Sequence, residues 1–436
     1  MADIRPFRGV RYNKSLLKDL SAVICPPYDI IGSQQQQELH IRSDFNFVRL
    51  EASRELPQDT ASDNRFTRSA ALLEQWLGDG ILEVDEKPAI YIHEHSFTHQ
   101  GKKYKRRSMI ARVRLEEWEE MIVRPHEGTL TEPRGERLSL LWALNANTSP
   151  VLAMYQDRQN QISPLLSKQE RSKPFIDSKN VDGEGHRVWA ITDDNVIDRI
   201  RACLAEQPLY IADGHHRYES ALTYRNENRS YKTSVSGEEA FNFVMMALVD
   251  FTDPGLVILP PHRLVRGISR SILDEFMGKL EVFFEIEKVP LEIGKVWKQV
   301  SDSLADMSGI KLVLFGPTPD TLYGLKLRDT EEAGQMMPYF HSELYKKLDV
   351  SIVDHIILEK LLALSSDKEK ESLAYSYDTS DAINRILNQE YQLTFLLSPV
   401  RPETIKAIAD KGDKMPRKST YFYPKSPAGL VFNRLL

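Results

Sequence analysis

Asp213-Gly214-His215-His216-Arg217 gathers a carboxylate, two imidazoles and a guanidinium around one glycine. It closes the apolar run Leu209-Tyr210-Ile211-Ala212 and opens a segment with helical character, residues 218–226. A buried strand that ends in glycine and turns straight into a helix leaves unpaired backbone N–H groups aimed at one spot. Such a spot attracts an anion, and the cationic side chains beside it make phosphate the natural ligand. Asp before a helix is also an ordinary N-cap. Capping accounts for Asp213 but not for the three residues that follow Gly214.

Two other sets carry related chemistry. His126-Glu127-Gly128-Thr129 follows a short strand, 121–124, and Pro125, with Arg124, Arg134 and Arg137 close by in sequence. His262-Arg263 follows Pro260-Pro261. A phosphoryl-transfer site needs cations on the equatorial oxygens and a carboxylate to take the proton of the attacking hydroxyl, usually with magnesium. Gly214, His215, His216 and Arg217 suit phosphate binding, with His126, Thr129, Arg137, His262 and Arg263 as further phosphate or nucleotide contacts. Glu127 suits the base, and Asp213 a substrate hydrogen bond or a metal held through water, with His215 as a further catalytic candidate. The arginines near 134 also fit a solvated helix face paired with Glu132 and Glu136.

Asp-x-His-His is a ligand pattern of transition-metal phosphoesterases too. Adjacent helical residues diverge by about 100°, and Arg217 would repel a cation, so no side chain is assigned as a direct metal ligand. Walker, kinase glycine-rich and dinucleotide glycine patterns are absent from the sequence.

The elements that must position these groups can be read from periodicity. Strands are expected at 23–25, 46–50, 151–155, 241–249 and 256–259. A hairpin is expected at 89–98 and 103–115, its basic tip Lys102–Arg107 solvated. One helix carries Ala70, Leu73, Trp76 and Leu77 on one face; another, 136–144, buries Leu138, Leu141 and Trp142 and ends at Asn145 and Asn147, both readable as helix C-caps. From about 266 the pattern changes to alternating helices (269–279, 349–364, 382–388) and strands (310–315, 322–327, 392–397). The basic, hydroxyl-rich stretch 415–422 could fold back over an anionic ligand.

The 436 residues suffice for two or three domains, and 41% hydrophobic with 28% charged residues describes a globular chain. A net charge of −6 argues against nucleic acid as a main partner. Two cysteines give no disulfide framework. Neither a secretory leader nor a membrane span is apparent, so the expected location is cytoplasmic, with no membrane partner.

The motifs also carry a resemblance. Cys25-Pro26-Pro27-Tyr28-Asp29, Asn46 to Leu50, His126-Glu127-Gly128-Thr129, Ala146-Asn147-Thr148-Ser149-Pro150, Ile211 to Leu222 and Leu259 to Leu264 together resemble the domain-of-unknown-function family 1015, over nearly the full length. The Asp-Gly-His-His-Arg element is similar to the phosphate-binding motif of free serine kinases, which share a fold with ParB and sulfiredoxin. That resemblance implies an elaborated ParB/sulfiredoxin-like α+β domain with a mixed sheet, here residues 1–265, followed by a second α+β domain, 266–436. It implies phosphate binding by Asp213 to Arg217 and a glutamate that activates a serine hydroxyl; Glu127 in that role is inferred from chemistry alone. The expected function is a phosphotransferase interconverting a small hydroxyl amino acid, serine first, and its phosphate ester, using ATP, ADP or diphosphate with Mg2+. The partners would be that small molecule and the nucleotide or diphosphate. A ParB-like nucleotide-binding switch or partner-binding protein without catalysis, and a metal-dependent phosphoesterase, remain alternatives, and the oligomeric state is not legible.

Overall fold

The apolar alternation that marks strands is realised in a computed structural model describing residues 1–17, 19–129, 131–180, 182–231, 236–304, 310–364 and 369–436. The chain is mixed α+β and its contacts divide it into two compact units. One comprises Met1–Pro125, Thr129–Val257 and Pro424–Leu436; the other comprises His126–Gly128 and Ile258–Tyr423.

The first unit is built on a mixed sheet of nine strands among the described residues. Its order is Val123–Arg124, Leu209–Asp213, Val151–Tyr155, Phe243–Asp250, Lys102–Arg114, Ile90–His99, Gly185–Ile191, Ile176–Lys179, with Ile4–Arg5 also on Lys102–Arg114. Leu209–Asp213 runs parallel to Val123–Arg124 and antiparallel to Val151–Tyr155, which is itself parallel to Phe243–Asp250. One face buries Ile92, Ala111, Ala153, Ile211 and Leu248 in a continuous core. The helices Thr131–Leu144 and His215–Tyr231 pack on each other, joined by Ser220 Oγ to the Arg134 carbonyl (2.8 Å) and Tyr224 OH to Asn145 Oδ1 (2.7 Å).

Several expected elements take another form. Residues 46–50 are not a strand: Val48–Glu51 is helical, because Asn46 Oδ1 accepts from Val48 N (3.0 Å) while its Nδ2 donates to the Ala22 carbonyl (2.7 Å). A 3-10 turn, Leu20–Ala22, and a lone bridge from Cys25 to Ala428 replace the strand at 23–25. Trp142 is 38% exposed, donating to Glu227; Leu140 and Leu144 share its expected burial with Leu141. Asn145 does end its helix, at φ +46°, but Asn147 lies in a short strand and accepts from Met245 N. Arg106 is not solvated at a hairpin tip; it is 2% exposed.

The second unit carries an antiparallel sheet ordered Phe284–Pro290, Thr321–Leu327, Lys311–Phe315, Leu393–Leu396, His262–Val265, Leu373–Ser376. The expected helix at 349–364 is a short α turn continued by a π-helix, Ile352–Leu361. Cys25 and Cys203 are both free thiols. Among the described residues no helix is long and apolar enough to cross a membrane.

Candidate functional site

The strand Leu209–Asp213 delivers Asp213 through an irregularity. Ile211 faces Ala153 and Asp213 faces Leu152, so the register slips across Ala212. A bulge of this kind re-aims the side chain that follows it and is common beside functional sites. Gly214 then turns the chain at φ +92°, a conformation that favours glycine. A Cβ on Gly214 would lie 2.9 Å from Arg217 Nε, so the glycine also makes room for the arginine to fold back beneath the turn. His215 begins a 17-residue helix, whose dipole places positive potential at its start.

Arg217 is fixed from two sides. Its NH2 donates to Asp213 Oδ2 at 2.7 Å and its NH1 to the Pro150 carbonyl at 2.6 Å. Asp213 Oδ1 pairs with Lys425, whose ammonium also lies 3.5 Å from Asp29 Oδ2. Burial alone would raise the Asp213 carboxyl, but the charges of Lys425 and Arg217 outweigh it and hold the group well below its ordinary value. The carboxylate is therefore ionised at neutral pH, and the guanidinium keeps its proton.

Lys425 was not singled out by the sequence, because it meets Asp213 across 212 positions. What brings it there is Arg106, whose NH2 donates to the Pro424 carbonyl at 2.8 Å and lies 3.4 Å from Ser426 Oγ. Arg106 is buried deeply enough to lower its pKa to about 10. The Cys25–Ala428 bridge holds the same segment two residues further on.

Around the turn sit Tyr28, Glu51, Arg137 and Ser149, all in the first unit. The Arg137 guanidinium stacks 3.7 Å from the Tyr28 ring centroid, and burial pushes the Tyr28 hydroxyl up to about 12. Arg137 NH1 donates to the Glu51 carbonyl at 3.1 Å and lies 3.5 Å from Glu51 Oε1, which also accepts from Ser149 Oγ at 2.9 Å. Thr129 donates to Glu219 on the helix that follows the turn, and His215 and His216 open that helix.

The remaining candidates belong to the second unit. Glu127 Oε1 accepts from Ser419 N (3.2 Å), Thr420 N (2.9 Å) and Thr420 Oγ1 (2.8 Å). His126 Nε2 lies 2.9 Å from Thr420 Oγ1, and Met415 N donates to the His126 carbonyl. The 415–420 stretch thus grips the His126–Gly128 loop. His262 accepts from Leu397 N at Nδ1 and meets Thr379 Oγ1 at Nε2, each at 3.1 Å. Arg263 holds Asp354 with two parallel bonds of 3.1 Å and donates to the Pro261 carbonyl. Those contacts lie within the second unit, and His262 and Arg263 are left out of the site proposed below.

Among the described residues one group has metal-like spacing: ligand atoms of His95, Glu184 and His186 lie within 4.8 Å of one another. Arg106 can only donate to His95 Nδ1 (3.3 Å), which leaves the proton on Nε2 for Glu184 (2.9 Å). The pair is satisfied as a hydrogen bond. Burial keeps His93, His95 and His186 neutral, the last down to about 4.

The family model described as "Protein of unknown function (DUF1015)" matches residues 4–351, and the chain belongs to that family. No curated protein matches. Among solved structures, a conserved hypothetical protein from Pyrococcus furiosus is 14% identical with a TM-score of 0.33, covering 71% of this chain and 92% of its own. A free serine kinase in complex with AMP is 12% identical with a TM-score of 0.36, covering 71% and 88%. SbnI from Staphylococcus aureus, truncated at its C-terminus, is 9% identical with a TM-score of 0.32, covering 73% and 85%.

Proposed function

We propose that this DUF1015 member is a phosphotransferase that interconverts a small hydroxyl amino acid, serine first, and its phosphate ester, with a nucleotide or diphosphate as the other partner. The observation that carries this function is the Asp213–Arg217 turn. A glycine at positive φ opens a long helix, and beneath it lies a cation pair held by one part-buried carboxylate. The amides of the turn, with His215 and His216, bind phosphate oxygens. Arg217 and Lys425 supply positive charge that is already positioned, so none has to be reorganised during the reaction. The core around the turn is proposed as ParB/sulfiredoxin-like.

Glu127 takes the hydroxyl proton of the acceptor. The acceptor oxygen forms a bond to phosphorus, the bond to the departing phosphate breaks, and that phosphate keeps the electron pair. The three donors on Glu127 Oε1 fix the carboxylate's orientation within the second unit. Asp29 and Asp213 are hard oxygen ligands that already converge on one cation, the Lys425 ammonium. They fit magnesium chemistry to that extent. An ion arriving with the donor would be held by Asp29 and phosphate oxygens, and would neutralise charge on the phosphoryl group.

Phosphorus NMR of the purified chain tests this directly, with phosphoserine, ADP and magnesium, with serine and ATP, and with serine and diphosphate. A new phosphoserine or ATP resonance that disappears in Arg217→Ala is the expected result. Silence in all three mixtures, with nucleotide still bound, would instead make the turn part of a nucleotide-binding switch.

A further inference from the structure

Beside the turn opens a cleft with about 360 Å3 of atom-free space, counting its mouth. Its polar side is lined by Arg137, Asn147, Thr148, Ser149 and Arg217, the rest by aliphatic side chains. Both guanidiniums are more than nine-tenths buried, and the Nε of each has no hydrogen-bond partner. An unmet buried donor is destabilising, and both belong to residues that line this cleft. One acceptor nearby, Glu51 Oε2, is fully buried and also lacks a donor.

Charge decides what the ligand is. Within the cleft Arg137 is opposed by Glu51, one charge against one, whereas Arg217 is shared with Asp213 and the turn. A dianionic phosphate would leave this group two charges negative in a poorly solvated place. A zwitterion leaves the balance unchanged, offering a planar carboxylate to the guanidiniums and an ammonium to Glu51.

Resting on the phosphotransferase function above, we infer that the cleft holds the α-carboxylate of the amino acid substrate, with Arg137 and Ser149 as its specificity-determining contacts. Glu51 is a positioning residue. Its Oε1 holds the Ser149 hydroxyl and its backbone carbonyl holds Arg137, which Tyr28 keeps flat by stacking. The turn then takes the phosphate and the cleft takes the amino acid, which separates the two ends of a phosphorylated amino acid by charge type.

The test is calorimetric titration of the full chain with L-serine, L-alanine, ethanolamine and inorganic phosphate, beside turnover by phosphorus NMR. Serine and alanine should bind alike, and ethanolamine, which lacks the carboxylate, about 30-fold more weakly. Arg137→Gln should weaken serine about 30-fold and leave ADP within about 2-fold; Ser149→Ala, which removes only a hydroxyl, should weaken serine about 5-fold. Circular dichroism melts show whether each variant is folded, and Ser149→Ala keeps the question open to measurement if Arg137→Gln is not. Equal binding of ethanolamine, displacement of alanine by phosphate at lower concentration, or no amino acid binding at all would overturn the assignment. Alanine and serine binding without phosphoryl transfer would sink the phosphotransferase and leave the cleft standing. Transfer to ethanolamine as fast as to serine would do the reverse.

Discussion

Arg217 and Arg263 are both buried arginines paired with an aspartate, one in each unit, and they differ in what remains on the guanidinium. Arg263 uses Nε and NH2 in a two-pronged grip on Asp354 and NH1 on the Pro261 carbonyl. Arg217 uses NH2 on Asp213 and NH1 on the Pro150 carbonyl, but its Nε is unmet and it borders an open cleft. Asp354 answers to Arg263, whereas Asp213 is shared with a second cation, Lys425. A buried ion pair with complete bonding is framework. One with an unmet donor and a shared carboxylate has bonding capacity left over.

That contrast can be broken by mutation. The largest change should come from Arg263→Leu, which strands a partly buried Asp354 and should cost about 3–5 kcal/mol of stability in urea unfolding, with nucleotide affinity unaltered in the folded fraction. Glu127→Gln should lower turnover about 100-fold while nucleotide binding by calorimetry stays within about 2-fold; wild-type turnover would remove Glu127 as the base. Gly214→Ala should lose about 2 kcal/mol, because positive φ is strained with a Cβ and Arg217 must move, and phosphate affinity should fall with it. If Gly214→Ala kept both stability and affinity, the fold-back of Arg217 would not matter.

The smallest effect concerns pH. Asp213 titrates below its ordinary value of 3.8 in the folded chain. It therefore adds stability that is fully present above about pH 4 and is lost as pH falls through the folded value. Lys425→Met should lower stability by about 1 kcal/mol at pH 7, and the gap to wild type should close as pH drops below 4. Parallel unfolding curves at pH 7 and pH 3 measure it. A gap that widened in acid would mean that Lys425 does not hold the ionised form.

The turn was legible because its meaning is local: strand, glycine and helix start are consecutive, and four polar residues share them. The hairpin 90–114 was legible for the same reason, since alternation and a glycine tip lie within one short stretch. Lys425, Glu51 and Arg106 were not, because their roles depend on contacts closed across 212, 98 and 318 positions. Arg106 sits among lysines in a basic run, and only the fold distinguishes it from its exposed neighbours. Residues 46–50 misled through Phe47 and Val48, which favour strands; Asn46 overrode that preference by bonding to the backbone two residues on. His262 and Arg263, read as phosphate contacts, lie in the strand His262–Val265 of the second unit.

The segment carrying Lys425 also sets an order of events during synthesis. Asp29 and Asp213 leave the ribosome long before the lysine that neutralises them, and the first unit takes its last strand of contacts from Pro424–Leu436. Until those residues emerge, Asp29 and Asp213 lack the ammonium that both approach in the folded chain. Lys425 therefore reaches Asp29 and Asp213 only after Leu209–Asp213 and the helix that follows it have been synthesised, and the ion cluster closes last.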